Sequence, residues 1–411
     1  MESNPVAKHE PRSWRPLLLV WVAVLMAWDG GATLAGQFAS ARAAVIRMFP
    51  SLKRPGKTYQ GFVKAMKGWG TLLRERLAGH LRDRMRGMDS CWTVMGVPAF
   101  AVDGSRVECP RTKANQEQLK CAGRKKTGPQ LSLTTIYHMG SGCPWDYRIG
   151  PGIQSERTHL RDMLATLPPE ALLVADAGFS GYDLLQSILQ SKRHVLFRVG
   201  RNVTLLRNLG YFRIENDSTV YLWPEKAQRE HQAPVVLRLI VLPGRHPVHL
   251  VTDLSEEKLS YEQASLLYRM RWGVEVFYRS LKQTLGHRKM RSHAPRQAKM
   301  ELHWAMAGLW VLSLLTAKAI VARGKNPQSL SIALARKQVR LAMAGQIRPG
   351  TDLTRKLALT QKDSYVRAES KMARDWPHKK NDPPAGQPKI KYACPRQVQL
   401  AKELRERITA A

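Results

Sequence analysis

The sequence predicts an α/β fold flanked by helical regions, on three observations. Between residues 96 and 200, short apolar strands alternate with helical segments, the rhythm of an α/β domain. Residues 201–255 break that rhythm with closely spaced strand-like runs and turn residues, a β-rich insertion. Helical periodicity fills residues 1–95, returns from 256 to 320 and continues into a basic C-terminal region, 321–411, that holds 20 Lys/Arg against 7 Asp/Glu.

The elements follow in order. Leu17–Trp28 is uncharged for 12 residues and stops at Asp29. That is short of the roughly 20 residues a membrane span needs, so it is expected as a buried helix. Arg12 and Arg15 ahead of it imitate a secretory leader, but no clean small-x-small cleavage site precedes the acid. Phe62–Leu81 carries apolar residues at helical spacing with Lys64, Lys67, Arg74 and Arg76 between them, compatible with DNA binding or with a solvated face. Val97–Val102 is an apolar run expected to be a buried strand that ends in a turn at Asp103-Gly104. Gln130–Tyr137, Leu172–Ala175 and His194–Val199 are further strands, with a helix over Tyr182–Gln190. In the insertion, Val220–Trp223, Val235–Leu242 and Val248–Thr252 are strand-like. Trp304–Ala317 is a core helix, and Pro377–Pro388 a linker rich in Pro, Gly, Lys and Asp.

Composition narrows the function. Of 411 residues, 44% are hydrophobic and 24% charged, ordinary for a globular protein able to bury a core. Lys plus Arg is 66 against 32 Asp plus Glu, a formal charge of +34, so nucleic acid or an anionic membrane surface is the expected partner. The five cysteines form no C-x-x-C pair, which argues against a zinc ribbon or disulfide framework and fits a reducing cytoplasm. Nucleotide hydrolysis, dinucleotide binding and zinc proteolysis lack their motifs. His138 and His303 stand in apolar contexts, as satisfied core histidines do.

One helix carries the strongest signal. Ser260, with Gln263 three residues on, forms a capping box, and Gly286 is a natural stop. Taking Tyr268 as zero at about 100° per residue, Arg271 falls near 300°, Glu275 near 340° and Lys282 near 320°. One acid is thereby flanked on one helix face by two cations and a phenol, beside an apolar stripe of Leu267, Val274 and Leu281. The plain structural alternative is an exposed helix with an Arg271–Glu275 pair.

The spacing Y-x2-R-x3-E-x6-K, set by Tyr268, Arg271, Glu275 and Lys282, resembles the signature of a group of bacterial DDE transposases, insertion sequence family four. Two aspartate contexts agree: Phe100-Ala101-Val102-Asp103-Gly104 and Ala175-Asp176-Ala177-Gly178-Phe179. The resemblance covers about residues 97–320. It implies a ribonuclease H-like catalytic domain with a β-rich insertion, in which Asp103, Asp176 and Glu275 are catalytic and hold two Mg²⁺ ions, with Mn²⁺ as a possible substitute. It implies phosphate contacts from Tyr268, Arg271 and Lys282. Lys120, Arg124, Lys125 and Lys126, with Arg111 and Lys113, form a basic loop after the first acid and are further DNA-binding candidates. Ser155-Glu156-Arg157 belongs to the same resemblance without an assigned role. Some relatives stack a flipped base on a tryptophan of the insertion; Trp223, the one candidate here, reads rather as core packing.

The expected function is metal-dependent cleavage at element ends and strand transfer into target DNA. The partners implied are double-stranded DNA (terminal inverted repeats and target) and a second copy in a synaptic homodimer. The location implied is the cytoplasm, on the nucleoid, with no membrane. The rival readings are a non-catalytic basic nucleic-acid-binding protein and a ribonuclease H-fold nuclease.

Overall fold

Asp103-Gly104 does not turn. In the computed structural model, which describes residues 14–122, 128–212, 214–244, 246–362 and 386–410, strand β1 (Ala99–Glu108) runs straight through it. Asp-Gly is a turn signal only where nothing holds the backbone extended. Here the downstream half of β1 is held: Glu108 N–H donates to Arg288 O at 3.3 Å, and Met290 N–H donates to Glu108 O at 2.7 Å.

The remaining strands are β2 (Gln130–His138), β3 (Cys143–Pro151), β4 (Leu172–Ala175), β5 (His194–Val199), β6 (Thr204–Arg207), β7 (Thr219–Leu222), β8 (Val235–Leu242), β9 (Val248–Thr252) and β10 (Lys389–Tyr392). The helices begin with α1 (Pro16–Trp28), α2 (Leu34–Met48), α3 (Tyr59–Arg86) and α4 (Lys113–Leu119). Next come α5 (Glu156–Met163), α6 (Tyr182–Gln190), α7 (Glu225–Arg229), α8 (Tyr261–Met270) and α9 (Trp272–Arg279). The last are α10 (Pro295–Val321), α11 (Ile332–Met343), α12 (Thr351–Leu357) and α13 (Pro395–Ala410). The chain divides into two units: Met1–Thr93, Gly104–Ser155 and Gly273–Asp363 in the first, and Val94–Asp103, Glu156–Trp272 and Ser364–Ala411 in the second.

The second unit is a mixed sheet in the order β10-β6-β7-β8-β9-β5-β4-β1. Strands β1, β4 and β5 are parallel, and Phe100, Leu173 and Leu196 in their paired stretches have no exposed surface. Burial on both faces explains why they read as continuous apolar runs rather than alternations. The strands of the 201–255 stretch continue the same sheet, because β9 pairs antiparallel with β5. Two contributors escape the sequence patterns. β6 is four residues long, and β10 (KIKY) is exposed throughout and becomes a strand by pairing in parallel with β6. Most of the expected linker Pro377–Pro388 lies outside the described residues.

The first unit packs helices with the antiparallel hairpin β2–β3. Strand β3 also has no readable alternation, since seven of its nine residues are buried and a proline sits near each end. Helix α10 is long and apolar enough to cross a membrane, but 83% of its apolar window is buried inside the protein. Helix α1, buried as expected, packs against it. Gly308 permits the close approach: a Cβ there would stand 2.6 Å from the Ala27 Cβ, and Trp28 Nε1–H donates to the Gly308 carbonyl at 2.8 Å.

The signature segment is not one uniform helix. Ser260 caps α8 with the full capping box, Gln263 returning a side-chain bond to the Ser260 N–H. Beyond α9, Ser280–Thr284 is a π-helical turn closed by Leu285 N–H donating to Ser280 O at 2.9 Å. Such a turn adds a residue to the helical repeat, so the position read for Lys282 off an ideal wheel does not hold.

Candidate functional site

The paired registers of the second unit line up three charged residues. Val102 on β1 pairs with Ala175 on β4, which pairs with Phe197 on β5. The next residue on each chain is Asp103, Asp176 and Arg198. Asp176 stands one residue past the end of β4, and the three follow in sequence directly on the buried row Val102–Ala175–Phe197.

Asp176 is the best-defined member. The strand stops there because the aspartate caps the short 3₁₀ turn Ala177–Phe179, its Oδ1 accepting Ala177 N–H at 2.8 Å. Tyr268, on α8, donates its hydroxyl to the same oxygen at 3.3 Å. The Arg198 guanidinium stands 3.7 Å from that oxygen. Among the described residues, no donor reaches Oδ2. Arg271 lies with its guanidinium carbon 5.5 Å from the centre of the Tyr268 ring, a cation–π contact, and is 8% exposed. Burial raises the Tyr268 pKa, the nearby Asp176 adds to the rise, and Arg271 and Arg198 oppose it. The phenol therefore remains a hydrogen-bond donor at neutral pH.

Two further arginines had no role read from the sequence. Arg198 sits in a strand that looked purely structural. Arg157, from the short Ser155-Glu156-Arg157 motif, enters α5 at its first turn. Its Nε–H donates to Gly178 O at 2.8 Å, and its guanidinium lies where a Cβ on Gly181 would meet it at 2.6 Å. That motif therefore clamps the loop that follows Asp176.

Among the remaining candidates, Glu275 and Lys282 belong to the first unit and are both half-buried, on α9 and in the π-turn respectively. The end of that segment is anchored by Arg336 of α11, which donates to Thr284 O and also to Trp28 O and Asp29 O, each of these two at 3.0 Å. Lys120 caps α4 with φ 56° and borders a cleft of about 510 Å³ with Arg111, Gln116 and Cys121. Arg124, Lys125 and Lys126 lie outside the described residues. Among the described residues, no group of three His, Cys, Asp or Glu side chains could hold a metal ion as placed.

Trp223 is 3% exposed, and its Nε1–H is used on Gln232 O at 2.8 Å, a core role. His138 is fully buried, with Nδ1 2.9 Å from Ser141 Oγ and Nε2 2.9 Å from Trp92 O. His303 bonds Arg74 through Nε2 at 2.7 Å.

Known proteins are similar to this chain at several levels. It is 28% identical over 114 residues to the putative transposase InsZ of Escherichia coli strain K12. That match covers 26% of this chain, which spans 38% of the relative's length. Among solved structures, a piggyBac transposase synaptic complex with hairpin DNA aligns over 91% of this chain and 83% of its own, at 11% identity and a TM-score of 0.41. The Mos1 transposase paired-end complex with left transposon end aligns over 47% of this chain and 61% of its own, at 13% identity and a TM-score of 0.18. The family described as transposase DDE domain matches residues 96–312, more than half of the 411, and the chain belongs to that family.

Proposed function

We propose that this protein is a DNA transposase of the Y-R-E-K signature group, insertion sequence family four, built on a ribonuclease H-like catalytic domain. The observation that carries the reading is the Tyr268–Asp176 hydrogen bond, because it joins the tyrosine of the signature to the second of the two motif aspartates. Two unrelated sequence motifs, one on a strand end and one on a helix, thereby meet at one carboxylate.

The carboxylates suit an oxygen-seeking divalent ion. Asp103 and Asp176 each follow directly on the paired residues Val102 and Ala175 of two parallel strands, and Asp176 meets its hydrogen-bond donors and the Arg198 guanidinium through Oδ1. We assign Asp103, Asp176 and Glu275 as the ligands of Mg²⁺, in the manner of carboxylate sites that keep room for substrate phosphate. A pair of such ions would generate hydroxide from water at neutral pH and offset charge on the leaving oxygen.

The chain's own residues account for the rest. Tyr268 orients Asp176, Arg271 supports the phenol ring, and Arg271, Lys282 and the basic residues Lys120, Arg124, Lys125 and Lys126 neutralise backbone phosphates. In the first reaction, water attacks phosphorus at the element end; a P–O bond forms as the bond to the 3′-oxygen breaks, and that oxygen takes the proton. In the second, the freed 3′-hydroxyl attacks a target phosphodiester; one P–O bond replaces another, so no nucleotide is consumed. Both ends must be held together, which assigns a homodimer to the joining step. Residues 1–95 and 321–411 are the regions left to read the terminal inverted repeats.

The test is Mg²⁺-dependent cleavage and joining of DNA that carries the element's ends, by the wild type and by Asp103→Asn. The wild type yields joined product, and the variant binds DNA but neither nicks nor joins it. Nicks without joined product favour a nuclease. An unchanged product pattern in the variant removes Asp103 from the site.

A further inference from the structure

Arg198 is a costly residue for its position. It lies on β5, surrounded by core strands, with its side chain 20% exposed and its Nε buried without a hydrogen-bond partner among the described residues. Its ion pair with Asp176 is long at 3.7 Å, and the aspartate side chain is 42% exposed. A half-buried guanidinium that leaves a donor unpaired and meets a hydrated acid contributes little to stability.

What the arrangement does well is fix one carboxylate. Ala177 N–H, the Tyr268 hydroxyl and the Arg198 guanidinium all converge on Oδ1, and Arg198 stands beside the Tyr268 hydroxyl as well. Two hydrogen bonds and an ion pair on one oxygen set the rotation of the carboxylate and turn the other oxygen outward. Groups that hold a ligand side chain in this way determine how well it binds a cation.

We propose that Arg198 is a positioning residue for Asp176: bridging the carboxylate and Tyr268, it commits Oδ1 to the protein and presents Oδ2 as the single oxygen offered to a divalent cation. This rests on the metal-dependent function proposed above.

The experiment measures Mn²⁺ binding to the full-length protein by electron paramagnetic resonance of the free ion, without DNA or turnover. Arg198→Gln weakens Mn²⁺ binding by about 10-fold, the effect expected when a group orienting a ligand is lost. Tyr268→Phe also weakens it. The double variant loses less than the product of the two single effects, because both groups act on the same oxygen.

Loss of a positive charge, acting alone, would tighten cation binding instead. Unchanged or tighter binding in Arg198→Gln therefore overturns the proposal. If the Gln variant loses the native circular dichroism spectrum, Arg198→Lys decides, since it keeps the charge but not the planar fork: weaker binding supports positioning and wild-type affinity overturns it. Asp176→Asn separates the two levels of inference. Retention of wild-type Mn²⁺ affinity in that variant refutes the metal-binding function. Loss of affinity there, with none in the Arg198 variants, refutes the positioning role alone.

Discussion

Acid should destabilise the first unit through a single buried imidazole, and the size of the effect follows from its surroundings. His138 Nδ1 accepts the Ser141 N–H at 3.2 Å, so the proton of the neutral ring resides on Nε2, where it is donated to Trp92 O at 2.9 Å. A second proton would have to sit on Nδ1, facing a backbone donor. Burial lowers the His138 pKa from 6.5 to about 4, with the Trp92 carbonyl opposing the drop. The ring is therefore neutral in the folded protein and charges on unfolding. Its contribution is fully present above pH 6.5 and is lost as pH falls toward 4, because the unfolded chain binds the proton in that window. At pH 5 the loss is about 2 kcal/mol relative to pH 7.5, taking about 1.4 kcal/mol per pH unit over the 1.5 units below 6.5. Urea unfolding at the two pH values reads it directly. His138→Gln, which keeps a donor and an acceptor but does not titrate, should lose about 2 kcal/mol less than the wild type over the same interval. An identical pH dependence in the two proteins would refute the assignment of a neutral, buried His138.

Three other outcomes follow from particular contacts. Gly308→Val should destabilise the protein by about 1–3 kcal/mol or more in thermal unfolding, because even the first added carbon meets Ala27 at 2.6 Å. Ser260→Ala should cost about 1 kcal/mol in the same measurement, since it removes the hydroxyl half of the α8 capping box. Lys282→Ala should weaken DNA binding across sequences and reduce the salt slope of the binding constant by about 1; an unaltered slope would exclude a phosphate contact.

Much of the second unit was legible because its elements are local. Leu172–Ala175, Tyr182–Gln190, His194–Val199, Val235–Leu242 and Val248–Thr252 have the bounds that apolar runs and turn residues marked out. The capping box at Ser260 was likewise readable, since its two partners are three residues apart. Elements that depend on a distant partner were not. β10 exists only because β6 accepts it, and the π-turn under Lys282 interrupts a period that looked regular. The turn expected at Asp103-Gly104 gave way to bonds from Arg288 and Met290, some 180 residues further along the chain.

The same division applies to the site. Residue type and spacing along the polypeptide singled out two aspartates and the Y-R-E-K segment as the candidates for this protein's chemistry, because a short motif records what one segment must present. Only the tertiary structure decided that Asp103, Asp176 and Arg198 follow on the paired residues of three neighbouring strands, that Tyr268 reaches Asp176, and that Arg157 grips the loop beyond it. Strand register and side-chain convergence join segments tens of residues apart, and no periodicity within a segment encodes which neighbour it will meet.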